Sequence, residues 1–258
     1  MIIDTADTTT AKLTQLKNRG VTAIIRYDHR AANSFKQIHP AEARAIAAAG
    51  MQLGIVYEGP GSTPSYFTKA HGVADASYSL EQAPLRGQPK GSAVYFAVDF
   101  DPTLTQIRNG IVPYFEGVEQ VFAGEGYRVG AYCSGLCAFH LKAIWPDILI
   151  WLTCSLGFAG TRAALTTKDF DLFQGTFNPL AHGCDKTLAG LSVDFDSPKT
   201  ADHDWGAFIP WTTPVPLHNV AWLQGVLADQ AGYKGALDGI VGPLTIAAML
   251  TYVEMKEA

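Results

Sequence analysis

From residue 2 to about residue 196 the chain alternates short β-rich runs with helical stretches, and this alternation limits the fold more than any other feature. Strands are expected at Ile2–Thr5, Thr22–Tyr27, Gln52–Glu58, Ala93–Asp99, Arg128–Cys133, Leu149–Thr153, Asp171–Gln174 and Leu191–Phe195. Helices are expected at Thr10–Asn18, Pro40–Ala49, Pro102–Gly124 and Leu136–Ile144. Asp101 and Pro102 offer the third of these a cap and a first-turn proline. Strands separated by helices pair in parallel. Eight of them suggest a (β/α)₈ TIM-like barrel, irregular at strands six to eight, where the intervening helices look short. A chain of 258 residues, 48% of them hydrophobic, has the length and the apolar material for it.

After Asp196 the character changes. Pro198, Pro210, Pro214 and Pro216 mark a linker, assigned to residues 201–217 between a barrel at 1–200 and a small all-α unit at 218–258. In that unit Val220, Leu223, Val226 and Leu227, and again Ile246, Leu250 and Val253, recur at helical spacing. A tight loop, Gly235 to Pro243, lies between the two sets.

Lys plus Arg number 19 against 24 Asp plus Glu, with no basic run, which argues against a nucleic-acid partner. No stretch reads as a membrane span, and Met1 to Asp7 lacks the basic flank and apolar core of a signal peptide. The four cysteines form no Cys-x-x-Cys pair and are expected as buried free thiols, and the seven histidines show no metal-ligand spacing. No cofactor or metal is expected.

The chemistry lies in the acids. Val98-Asp99-Phe100-Asp101 recurs as Val193-Asp194-Phe195-Asp196, each time where a strand is expected to end. In the first copy the pleat puts Val94, Phe96, Val98 and Phe100 on one face, and Tyr95, Ala97, Asp99 and Asp101 on the other. The apolar face suits the outer helices, so the acids face inward at the carboxyl end of the barrel, where such barrels carry their sites. Asp4, Asp28 and Glu58 close the first three strands in the same way. Acids crowded on one mouth push each other's pKa values apart, which creates the donor and the ionised partner that glycoside hydrolysis needs. Duller roles compete: Asp101 as a helix cap, Asp196 as a turn former, and Asp4 as a wet strand end. Aromatics at the strand ends, among them Tyr57, Tyr132 and Trp151, suit either a core or a sugar face.

Several segments together (Ile3-Asp4, Arg26-Tyr27, Gly54 to Glu58, Tyr95 to Asp101, Gly130-Ala131-Tyr132 and Ser192-Val193-Asp194) carry a resemblance. They resemble the glycoside-hydrolase-like barrel domain of bacteria and phages, first described as a domain of unknown function and related in pattern to the family 25 muramidases. The resemblance covers about residues 1 to 197. It implies a site for peptidoglycan glycan, with Asp4, Asp99 and Asp194 as matched acids and with Tyr132, Trp151 and Gln174 shaping the sugar cleft. Arg26 and Tyr57 join the expected substrate contacts. Where the muramidases carry Asp-x-Glu on the fourth strand, this chain has Asp101 in place of the glutamate. The proton donor is then Asp101 or Glu58, with Glu58 favoured and Asp99 as its partner.

In the tail, Trp222-Leu223-Gln224, Gly232-Tyr233 and Leu237 to Thr245 resemble the small helical peptidoglycan-binding domain. Together the two likenesses imply a monomeric cell-wall glycosidase of the phage endolysin type, made in the cytoplasm and acting on the wall after release. Two rivals remain open: a barrel that binds wall glycan without turnover, and a metal-dependent hydrolase using Asp4, Glu58, Asp99 and Asp194 as oxygen ligands.

Overall fold

The computed structural model describes residues 1–31, 34–177, 183–210, 224, 227–228, 231–235 and 241–257. The chain divides into two compact units, Met1–Trp211 and Thr212–Ala258. Residues 211–217 of the expected linker, Val220, Leu223 and Val226 of the expected helical stripe, and the Leu237-Asp238-Gly239 loop lie outside the described residues.

The first unit is a closed eight-stranded barrel. Its strands are β1 (Ile2–Asp4), β2 (Ala23–Asp28), β3 (Gln52–Tyr57), β4 (Ala93–Ala97), β5 (Arg128–Cys133), β6 (Leu149–Leu152), β7 (Leu172–Gln174) and β9 (Leu191–Pro198). The short β8 (Lys186–Leu188) forms a hairpin with β9. Strands β1 to β7 pair in parallel, in chain order. The eighth staff of the barrel departs from expectation: β9 is antiparallel to both β1 and β7. No helix separates β7 from β9 among the described residues, so the chain returns through the β8 hairpin and enters the barrel from the top.

Helices α1 (Leu13–Asn18), α2 (Pro40–Ala48), α3 (Lys69–Leu85), α4 (Leu104–Gln106), α5 (Val112–Phe122), α6 (Gly135–Ile144) and α7 (Thr161–Thr167) surround the sheet. A π-helical turn, Ile107–Ile111, joins α4 to α5. Thr103, rather than Asp101, caps this helix in a reciprocal box with Gln106. Ser134 caps α6 through the Cys137 amide.

The pleat sorts the apolar residues into two layers. Ile3, Ile24, Ile55, Phe96, Ala131 and Ile150 face outward and pack with Leu16, Ile46, Phe115 and Leu141 of the helices. Ile2, Ala23, Ile25, Val56, Tyr95, Trp151 and Leu172 face inward and pack with Trp205. Residues 201–210, the first part of the expected linker, pack with the barrel. Phe208 bridges Leu53 at the start of β3, and the Tyr95 hydroxyl donates to the Trp205 carbonyl at 2.6 Å. A Cβ on Gly54 would meet the Trp205 ring at 2.7 Å, so glycine is what lets the indole close the barrel floor. Trp205 is 5% exposed. Trp205→Ala is expected to cost about 3–5 kcal/mol in urea unfolding, the usual price of a large aromatic lost from a core.

In the second unit, Leu227, Tyr233 and Ala248 form a small buried cluster, and Gln224 donates to the hydroxyls of Tyr233 and Thr245. A helix, Pro243–Glu257, starts at the expected proline. Among its described side chains Thr245 and Ala248 are buried, whereas Ile246 and Leu250 of the expected apolar stripe are exposed. Among the described residues no helix is long and apolar enough to cross a membrane.

Candidate active site

Because the side chains of a strand alternate, the inward set fixed by Ile2, Ile25, Val56, Ala97, Trp151 and Leu172 continues at the barrel mouth. It continues as Asp4, Tyr27, Glu58, Asp99, Thr153 and Gln174. The reversed β9 reaches the same mouth from its amino-terminal half, which brings Asp194 opposite Asp4. Of these residues, Glu58, Asp99, Gln174 and Asp194 line a cleft of about 300 Å³ with Tyr27, Tyr132 and Trp151.

One wall carries Glu58 and Asp99. The Lys36 ammonium, on the loop after β2, sits 2.6 Å from Glu58 Oε2 and over the Tyr27 ring. Loss of solvent and the nearby Glu58 charge hold the Asp99 carboxyl above its ordinary pKa, against the pull of Lys36. The opposite wall is a hydrogen-bonded array. Tyr27 donates to Asp4 Oδ1 at 2.9 Å, and the Gln174 amide donates to Asp4 Oδ2 at 3.1 Å and to Asp194 Oδ2 at 3.2 Å. Tyr132 donates to Gln174 Oε1 at 2.7 Å, which fixes the amide's orientation. Burial first, and the Asp194 charge second, raise Asp4 to about 7. Asp4 is 2% exposed and sits behind this wall rather than in it.

Three expected site residues stand elsewhere. Arg26 and Tyr57 belong to the outward set, because their neighbours Tyr27 and Glu58 point in. Arg26 is buried between barrel and helices, 2.9 Å from Glu42, and Tyr57 packs on Tyr78 and Phe96. Asp101 is exposed, and its Oδ1 accepts the Ala159 amide at 2.8 Å, tying two loops together. Asp28 also faces outward, onto Arg86 at 2.8 Å. Asp196 forms no turn: it lies within β9, buried, accepting the Trp151 indole N–H at 2.9 Å.

The cleft also holds residues that the sequence reading passed over. Lys36 gave no signal, since its loop has no pattern. Tyr27 could have been found from strand parity, being two residues beyond Ile25. Cys154 and Cys184 are joined in a disulfide at the cleft rim, which corrects the expectation of free thiols; Cys133 and Cys137 are the buried free pair. The bridge flanks Asp185, whose amide donates to Asp194 Oδ1. Among the described residues no three His, Cys, Asp or Glu side chains converge closely enough to hold a metal ion.

A family model described as "Rv2525c-like, glycoside hydrolase-like domain" matches residues 14–207. The chain belongs to that family. Among curated relatives it is 32% identical over 158 residues to the Bacillus subtilis protein "Uncharacterized protein FadG", spanning 59% of this chain and 27% of that one. It is 31% identical over 127 residues to the Mycobacterium tuberculosis protein named "Putative peptidoglycan hydrolase Rv2525c", spanning 46% of this chain and 52% of that one. The chain thus spans about half or less of the length of these relatives. The crystal structure of the Tat-secreted Rv2525c superposes with a TM-score of 0.62 at 20% identity, covering 80% of this chain and 97% of that one, which shows a shared fold.

Proposed function

We propose that the barrel is a peptidoglycan glycosidase that hydrolyses the glycan backbone with Asp99 as general acid and Glu58 as its ionised partner. The observation that carries this reading is the pairing of unlike carboxyls on one wall of the cleft. Glu58 is held by Lys36 at 2.6 Å, and Asp99 is raised by lost solvent and by Glu58. The sequence favours Glu58 as the donor; the Lys36 ammonium 2.6 Å from Glu58 Oε2 supports the reverse assignment. Asp194 and Gln174 would orient the sugar, with Asp4 holding the Gln174 amide from behind the wall, and Tyr132 and Trp151 would back the cleft as buried supports.

The substrate class draws support from the family and from the name of the mycobacterial relative. Cleavage after N-acetylmuramic acid is the specific bond proposed. The rim disulfide suits work outside a reducing cytosol, in keeping with a wall substrate. The carboxyl-terminal unit is proposed as the wall-binding module, which would raise local substrate concentration. Incubation with purified peptidoglycan is expected to release new reducing ends without new free amines. Amines without reducing ends would point to a peptidase or amidase instead. Sedimentation with the wall and no products at all would support a binding barrel.

A further inference from the structure

Asp196 is buried at the base of the mouth and has one bare oxygen. Its side chain is 6% exposed; Oδ1 accepts the Trp151 indole N–H, and the fully enclosed Oδ2 has no hydrogen-bond donor among the described residues. The register of β9 explains the crowding. Asp194 lies opposite Asp4, Asp196 lies opposite Ile2 on one side and Gln174 on the other, and all the acids share the inner face.

Among the described residues the donors at the mouth are already assigned. Asp4 receives Tyr27 and Gln174, and Asp194 receives the Asp185 amide and Gln174. The groups facing Asp196 are the carboxyl of Asp4 from β1, Asp194 on its own strand, Trp151 from β6 and Gln174 from β7, with the Tyr95 phenol from β4. No cation is among them. An ionised carboxylate with an enclosed, unsatisfied oxygen beside two other acids is costly. A protonated oxygen needs only an acceptor, and the Asp4 carboxyl is within hydrogen-bonding reach.

We propose that Asp196 is a positioning residue, held as the neutral acid with the proton on Oδ2 donated to Asp4, so that Asp4 stays fixed behind the cleft wall. Burial and the two neighbouring acids raise Asp196 well above the ordinary aspartate value, in the same direction as the geometry. The catalytic consequence of the pair rests on the glycosidase reading; its protonation does not.

Asparagine at 196 reproduces the neutral acid, with a carbonyl for the Trp151 indole and an N–H for Asp4. A group whose folded pKa is raised loses stability as pH climbs from its unfolded to its folded value, and asparagine carries no such loss. The melting temperature of Asp196→Asn minus that of the full-length wild type should therefore rise by roughly 3 °C or more between about pH 5 and about pH 9. A gap that is constant or shrinks with pH would overturn the assignment. The second measurement needs no variant. In wild type labelled with ¹³C at aspartate carboxyls, the carboxyl carbon adjoining the Trp151 indole proton should keep its protonated shift past neutral pH. An ionised shift there would equally overturn it. A pH-dependent gap with no glycan products sinks the glycosidase reading alone, whereas glycan products with a flat gap sink the proton assignment alone.

Discussion

Asp99→Asn is expected to lower turnover on peptidoglycan by about 10²–10⁴-fold while leaving the melting temperature and wall sedimentation near wild type. The carboxyl opens into the cleft and makes no hydrogen bond among the described residues, so the amide removes a titratable proton and little else. Glu58→Gln is expected to fall in the same range for a different reason, because it deletes the ionised partner and frees Lys36. The two roles separate by pH. If Asp99 donates the proton, the rate is present while Asp99 is protonated and is lost as pH rises through a pKa above the ordinary aspartate value. Reducing-end release measured across pH would show that alkaline limb in wild type, show it shifted to lower pH in Glu58→Gln at its reduced rate, and show none in Asp99→Asn. Full activity in both variants would dismiss this pair.

Glu42→Ala is expected to have the largest effect on stability, about 3–5 kcal/mol out of a typical total of about 5–15. Arg26 and Glu42 are 0% and 3% exposed and 2.9 Å apart. Glu42 Oε1 also accepts the Thr9 amide and hydroxyl, each at 2.8 Å, and Arg26 donates to the Thr5 carbonyl as well. Alanine would strand a guanidinium and the Thr9 donors away from water. The cost arises from breaking the pair rather than from the pair's own worth. The double variant Arg26→Met with Glu42→Leu should consequently unfold at a higher urea concentration than Glu42→Ala alone. If the single change costs under about 1 kcal/mol, the site is wetter than its burial indicates.

Arg26 also shows how far the sequence could be read. Its place on the second strand was legible, and so was the alternation of in and out that follows from a two-residue period. Applied at Ile25, that period sends Tyr27 into the cleft and Arg26 behind it; the resemblance drew Arg26 forward instead. The same rule worked for Asp99, because Tyr95 and Ala97 precede it on the inner face. It gave Asp194 the correct face and the wrong strand direction, since composition does not record whether a strand returns through a hairpin. Trp205 was hidden among prolines, because a buried floor residue in an irregular segment has no period to betray it. Lys36 and the Cys154–Cys184 bridge depend on loops meeting at the mouth, a tertiary fact that local pattern does not carry.

The most direct test of the central claim is a digest of purified peptidoglycan, with products reduced and identified by mass spectrometry, run side by side for wild type and Asp99→Asn. The account predicts fragments ending in reduced N-acetylmuramic acid from the wild type and almost none from the variant. Equal products from both proteins, or no glycan products from a wild type that still sediments with the wall, would contradict it.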